Sequence, residues 1–218
     1  MKIAAAFSLA VLMLLPIAAA ADPAGDFAAL VTAAKEGDPG TDYTAMRQAY
    51  AMLPEYDPYG EKTNALMRDG QAAYLAKDCK TALEKFKAAI ALDFIISDAH
   101  ALAADCLEQV GDKNGEKREE SIAQGLFDSI IISGDGEKPD TAFRIVALHE
   151  ERAILAVAGV DGTGRELLTT DNGPIDKINV TDVNTGKKGA VFFNISVVMI
   201  GTEIQKKNAK AANPTAKP

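Results

Sequence analysis

The chain predicts an α+β protein. A stack of α-helices over residues 22–133 is followed by a small, mainly antiparallel β-sheet region over 134–206. Three observations carry this. Between Asp26 and Ile131 apolar residues recur three and four apart, the spacing of helices that bury one face. At Ser133-Gly134-Asp135-Gly136 that spacing stops, and beyond it residues alternate in twos. Near the C-terminus, Ile175 to Val183 and Lys188 to Val197 flank Asn184-Thr185-Gly186-Lys187, a hairpin turn with a glycine available for positive φ.

Asp26 to Glu36 puts Phe27, Leu30, Val31 and Ala34 on one helical face, and Gly37, Pro39 and Gly40 end it. Thr41 or Asp42 can cap a second helix, whose face is Tyr43, Met46, Tyr50 and Leu53. Pro54 and Pro58 hold a short extended segment, PEYDPYG. A third helix is expected from about Glu61 to Lys77 and a fourth from about Lys80 to Leu92. A fifth starts behind a Ser97 cap and ends at Gly111. A sixth runs from about Gly115 to Ile131, with Ile122, Leu126 and Ile130 a turn apart. Past residue 133, Phe143, Ile145 and Ala147 alternate with Arg144, Val146 and Leu148, as in a strand covered on both faces. His149 to Ala158 reads as a short helix, Gly159, Gly162 and Gly164 as a loop, and Arg165 to Thr170 as a strand. Residues 207–218, rich in Ala, Lys, Asn and Pro, read as a disordered tail.

Residues 1–21, MKIAAAFSLAVLMLLPIAAAA, have the layout of a secretory signal peptide. Lys2 supplies the positive start, Ile3 to Leu15 the apolar centre, and Ala18 to Ala21 the small residues of a cleavage region. The apolar run is short of the about 20 residues that span a bilayer, and no later segment is apolar enough to do so. The chain is therefore expected to be exported, periplasmic first and secreted second. Its net charge is −8, and Lys206, Lys207, Lys210 and Lys217 fall in or beside the tail, so the folded part is more acidic still. Acidity repels phosphates and argues against nucleic acid or an anionic membrane as a partner. Cys79 and Cys106 are the only cysteines. An oxidising compartment favours a disulfide, and the helical register puts the two on neighbouring antiparallel helices. Two buried thiols packing as small hydrophobes are the other reading.

Asp69 to Asp112 carries Gly70, Tyr74, Ala82, Phe86, Ala89, Leu92 and Asp93 at the spacing of a tetratricopeptide repeat, and resembles one. The resemblance implies antiparallel helix pairs in which Gly70 faces Ala82 at a tight crossing, and a surface that binds something. Asp93-Phe94 stands where such repeats have Asp-Pro. One repeat cannot bury its own faces, and stacks need about three, so the flanking helices and the sheet are expected to cap this one. Over nearly its full length the chain is also similar to a family of exported bacterial proteins of unknown function. The matching pieces are DYTAMRQAYAMLPEYDPY, the DAH at 98–100, SGDGEKPDTAF, Glu150-Glu151 and VTDVNTGKKGAVFFNIS. The family carries an aromatic after the acidic pair, where this chain has Arg152. That resemblance implies an architecture and names no reaction.

His149-Glu150-Glu151-Arg152-Ala153 begins as the zinc-protease motif HExxH does, but Ala153 stands where the second ligand is needed. The other histidine, His100, lies in a different predicted region. Glu150 and Glu151 suit the start of a helix through its dipole. Gly134-Asp135-Gly136, with Glu137 and Asp140, lacks the spacing of a calcium loop and reads as a turn. Asp161-Gly162-Thr163-Gly164 lacks the Lys-Ser/Thr of a phosphate loop. No catalytic residue, metal or cofactor is therefore expected. Arg47, Tyr50, Tyr56 and Tyr59 bring together the residue types favoured at protein contacts. They read either as a partner-binding surface or as a staple holding PEYDPYG to the helices. His100 stands where the repeat often has a large aromatic, so it packs between helices or joins that contact. The expected function is a non-catalytic exported module that binds a peptide or partner protein through its helical repeat. An envelope-acting enzyme, or an enzyme accessory, with a site at the helix–sheet junction is the alternative.

Overall fold

The structure is a computed structural model that describes residues 22–212. The expected signal peptide and the last residues of the expected tail lie outside the described residues. Six helices come first: α1 (Pro23–Glu36), α2 (Tyr43–Tyr50), α3 (Asn64–Leu75), α4 (Cys79–Leu92), α5 (Ser97–Gln109) and α6 (Lys113–Ile131). Four of them begin alike. Asp22, Asp42, Asp78 and Asp112 each accept the backbone N–H three residues on, from Gly25, Ala45, Thr81 and Gly115. Such caps satisfy an N–H with no partner inside the helix. Ser97 does not act this way. It lies inside α5, whose cap position is Ile96, with no side-chain bond.

Successive helices pack together, α1 on α2, α3 on α4, α4 on α5 and α5 on α6, and α6 also reaches back to α1 and α2. The close approach of α3 to α4 is set by Gly70, where a Cβ would lie 2.6 Å from Cε1 of Phe86. The atoms nearest to that Cβ belong to the Phe86 ring and to Lys85. Ala82, one turn earlier on α4, is buried in the same cluster as Phe86.

A single 3-10 turn at Pro139–Thr141 leads into the second region: β1 (Phe143–Arg144), α7 (Leu148–Val157), β2 (Val160–Thr170), β3 (Gly173–Asp182), β4 (Lys188–Asn194) and α8 (Ser196–Ala212). The strand order is β1-β4-β3-β2. β3 pairs antiparallel with β2 and β4, while β1 pairs parallel with β4. The sheet is therefore mixed and mainly antiparallel, at the C-terminal end of a helical region.

Three elements differ from expectation. β1 stops after two residues, because Val146 N–H turns to donate to Oε2 of Glu150 at 2.8 Å and not to a neighbouring strand. Gly162 and Gly164 lie within β2, at an irregularity in its pairing with β3, where glycine weakens a strand least. After β4 the side chain of Asn194 accepts the N–H of Ser196 at 3.0 Å, and α8 begins. Val197 is therefore helical, and the first residues of the expected tail continue α8. Gly201 of α8 lies against the Tyr56 ring, where a Cβ would overlap it.

The buried side chains form three clusters. One joins α1, α2 and α6 to Tyr56, Phe94 and Val146. A second fills α3, α4 and α5. A third lies under the sheet, with Ile154 of α7, Val198 of α8 and Ile130 of α6. Val146 and Ile130 each serve the core on the other side of residue 133. Among the described residues no helix is long and apolar enough to cross a membrane.

Candidate functional site

α7 is where the helical stack meets the sheet, and His149, Glu150 and Glu151 are all buried in its first turn. The three face different partners. Glu150 points into the helices. Its Oε1 accepts Nε of Arg47 at 2.6 Å and its Oε2 accepts Nη2 at 2.9 Å. The remaining Arg47 bonds go to the carbonyls of Ser129, at 3.0 Å, and Arg144, at 2.8 Å, and to the Ser129 hydroxyl, at 3.3 Å. Fork and carboxylate are matched in both charge and geometry. His149 Nε2 lies 3.3 Å from Oδ2 of Asp93. Burial alone lowers the His149 pKa, but the Asp93 carboxylate, with Glu150 and Asp98, outweighs it and the net shift is upward.

Glu151 faces the sheet. Its Oε2 lies 2.5 Å from Nη2 of Arg165 on β2, whose Nη1 is 3.0 Å from Oδ2 of Asp176 on β3. The other oxygens, Glu151 Oε1 and Asp176 Oδ1, are buried with no donor. Two buried carboxyls and one guanidinium leave one negative charge unbalanced, and a proton held between the carboxyls removes it. Burial pushes Glu151 up to about 8, helped by the Asp176 charge and opposed by Arg165. Burial likewise raises Asp176 against the pull of Arg165. Glu151 and Arg165 border a shallow cleft of about 430 Å³, walled by Leu148, Leu155, Val160 and Ile178.

A second concavity lies on the helices. It is about 560 Å³, between α5, α6 and the outer face of α7. Its floor is small and apolar, Ala101, Ala104, Ala123, Ala153 and Ala156, with Phe127 at one end. Its rim is acidic, with Asp98 and Asp105 from α5, and Glu116 and Glu120 from α6.

The residues singled out from sequence fall mostly elsewhere. Arg47, Tyr50, Tyr56 and His100 are buried, and only Tyr59 is exposed, at 45%. Tyr50 and Tyr56 meet edge to face at 5.4 Å. The Tyr56 hydroxyl donates to the carbonyl of Val146, and Tyr50 OH accepts the N–H of Asp57 at 3.3 Å. Burial raises both phenol pKa values. These residues tie PEYDPYG and α2 to the molecule, so the surface expected of them reduces to Tyr59. His100 packs edge-on to Phe94 at 4.9 Å, with its ring nitrogens 2.6 Å from Oε2 of Glu119 and 2.9 Å from the Phe94 carbonyl. Cys79 and Cys106 are buried free thiols in the structure. The Cys79 thiol donates to Oε1 of Gln109 at 3.2 Å, and burial pushes Cys106 up to about 12, with the neighbouring Cys79 adding to it. Arg152, which follows the acidic pair, is half-exposed and sits 3.4 Å from Asp98. Among the described residues, no three or more His, Cys, Asp or Glu come together as metal ligands.

Sequence reasoning missed the Glu151–Arg165–Asp176 cluster because its members lie on three elements. The available signal was Asp176 itself, an acid on the inward side of an apolar strand. It missed the groove because an alanine floor looks like ordinary helix composition.

A family comparison decides where this architecture belongs. The pattern described as Domain of unknown function (DUF4919) matches residues 32–203. The chain belongs to that family. The match runs from α1 into α8, so helices, groove and junction are all parts of one DUF4919 domain. No curated protein and no solved structure matches the chain.

Proposed function

We propose that this protein is a non-catalytic, exported interaction module that takes a peptide or a segment of a partner protein into the groove between α5, α6 and α7. The observation that carries this reading is the groove itself. It has an apolar floor of alanines, and its volume of about 560 Å³ falls in the range of ligand sites. The tetratricopeptide-like register supports it. Gly70, Ala82, Phe86 and Ala89 are buried where such a repeat needs them, and α3 touches both α4 and α5. The leader-like residues 1–21 support export, with the periplasm as the expected place. Exposed Tyr59 is available as a second contact, while Arg47, Tyr50, Tyr56 and His100 hold the scaffold.

Replacing Ala101, an exposed floor residue, with Trp fills the groove and leaves the core alone. A library of short peptides of differing charge and hydropathy is expected to contain binders of the wild-type protein that Ala101→Trp no longer holds. Peptide binding that ignores this variant rules the groove out.

A second reading, an enzyme or accessory acting on envelope material at the helix–sheet junction, draws on Glu151 and Asp176. Two carboxyls that share a proton can give and take one. Arg165 weighs against it, since its guanidinium occupies an oxygen of each carboxyl.

A further inference from the structure

We infer that the groove between α5, α6 and α7 selects a cationic, apolar segment, one whose Lys or Arg side chains meet the acidic rim while small apolar side chains reach the alanine floor. This rests on the groove reading above and adds the chemistry of the occupant.

The charge at the rim is one-sided. Lys113 is shared between Glu108 and Glu116, at 3.5 and 3.0 Å, and Arg152 pairs with Asp98 at 3.4 Å. Those two cations face three carboxylates. Asp105 accepts the neutral hydroxyl of Tyr74, at 3.0 Å, and Glu120 is exposed on α6. The groove thus keeps an excess of negative charge on both long walls, α5 and α6.

The floor sets the second half of the specificity. Alanines at 101, 104, 123, 153 and 156 leave room for a backbone to lie close, and the methylene stems of Lys or Arg cover apolar surface while their heads reach the rim. An anionic segment meets like charge on both walls and is excluded. Charge complementarity therefore names the partner class, a basic amphipathic peptide segment docked in a helical groove.

Three fluorescein-labelled peptides of one Ala/Leu framework, carrying Lys, Gln or Glu at the same positions, test this by fluorescence anisotropy against the full chain. The Lys peptide is expected to bind at least about tenfold more tightly than the Gln peptide, with no binding of the Glu peptide. The surface substitutions Asp105→Lys and Glu120→Lys together are expected to erase that preference, and Ala101→Trp to abolish binding. Circular dichroism of each variant checks that the fold is intact. If Lys and Gln peptides bind equally and both are lost in Ala101→Trp, the groove binds but the cationic preference is overturned. If Lys-peptide binding survives Ala101→Trp and disappears only with salt, it is diffuse attraction, and the inference and the groove reading both fail.

Discussion

Glu150 and Glu151 are neighbours in the chain and opposites in circumstance. On the helical side of α7, Glu150 meets one guanidinium that matches it and one backbone N–H that completes it. On the sheet side, Glu151 shares a half-exposed guanidinium with a second buried acid, and an oxygen of each is left over. The difference separates two uses of buried charge. A closed, balanced pair fixes how two regions sit together, whereas an unbalanced cluster must hold a proton and so answers to pH.

The largest effect should come from unbalancing the closed side. Arg47→Met leaves Glu150 buried with no counter-charge and is expected to cost about 3–5 kcal/mol in urea unfolding. Removing both charges, as Arg47→Met with Glu150→Leu, should recover most of that loss. A single-variant loss as small as that of an exposed ion pair, about 1 kcal/mol or less, breaks the contrast between the two sides.

The open side should show in the pH profile. Below pH 4.5, the ordinary pKa of Glu151, folded and unfolded chains both carry its proton. Between 4.5 and about 8 the unfolded chain has released it while the folded one keeps it, so stability falls as pH rises. Above about 8 both have released it and the decline stops. The raised pKa of His149 acts in the same direction. Urea midpoints measured from pH 5 to 9 are expected to drop and then level, and Asp176→Asn, which removes one of the two competing acids, should flatten the drop. An unchanged slope in that variant means the two carboxyls do not share a proton.

A smaller effect sharpens the contrast by probing packing in place of charge. Gly70→Ala pushes a methyl against the Phe86 ring and is expected to cost about 1–3 kcal/mol, independent of pH. The smallest effect concerns the thiols. Burial and a pKa near 12 for Cys106 predict that iodoacetamide at pH 8 labels it only under denaturant, as read by mass spectrometry.

How far all this was legible in the sequence depends on range. Helix faces such as Phe27, Leu30, Val31 and Ala34 declare themselves locally, and so does the turn Asn184 to Lys187 between β3 and β4. α8 was missed because its start depends on the Asn194 side chain bonding Ser196, while Val197 continues the alternation of the strand before it. At the site, composition alone made Arg47 and the tyrosines resemble a contact surface. Their burial depends on Val146, Glu150 and Gly201, far along the chain, and no local pattern states that. Glu150 and Glu151 were legible as the opening of a helix but not as charges facing opposite ways.

The resting of Gly201 on the Tyr56 ring bears on timing during synthesis. Arg47 waits for a carboxylate 103 residues later, Tyr56 for a carbonyl 90 residues later, and Tyr59 for a threonine 143 residues later. The earliest helices to leave the ribosome therefore cannot close their own interior. Completion comes with nearly the last segment made, and a nascent chain halted before α7 should remain open to proteases.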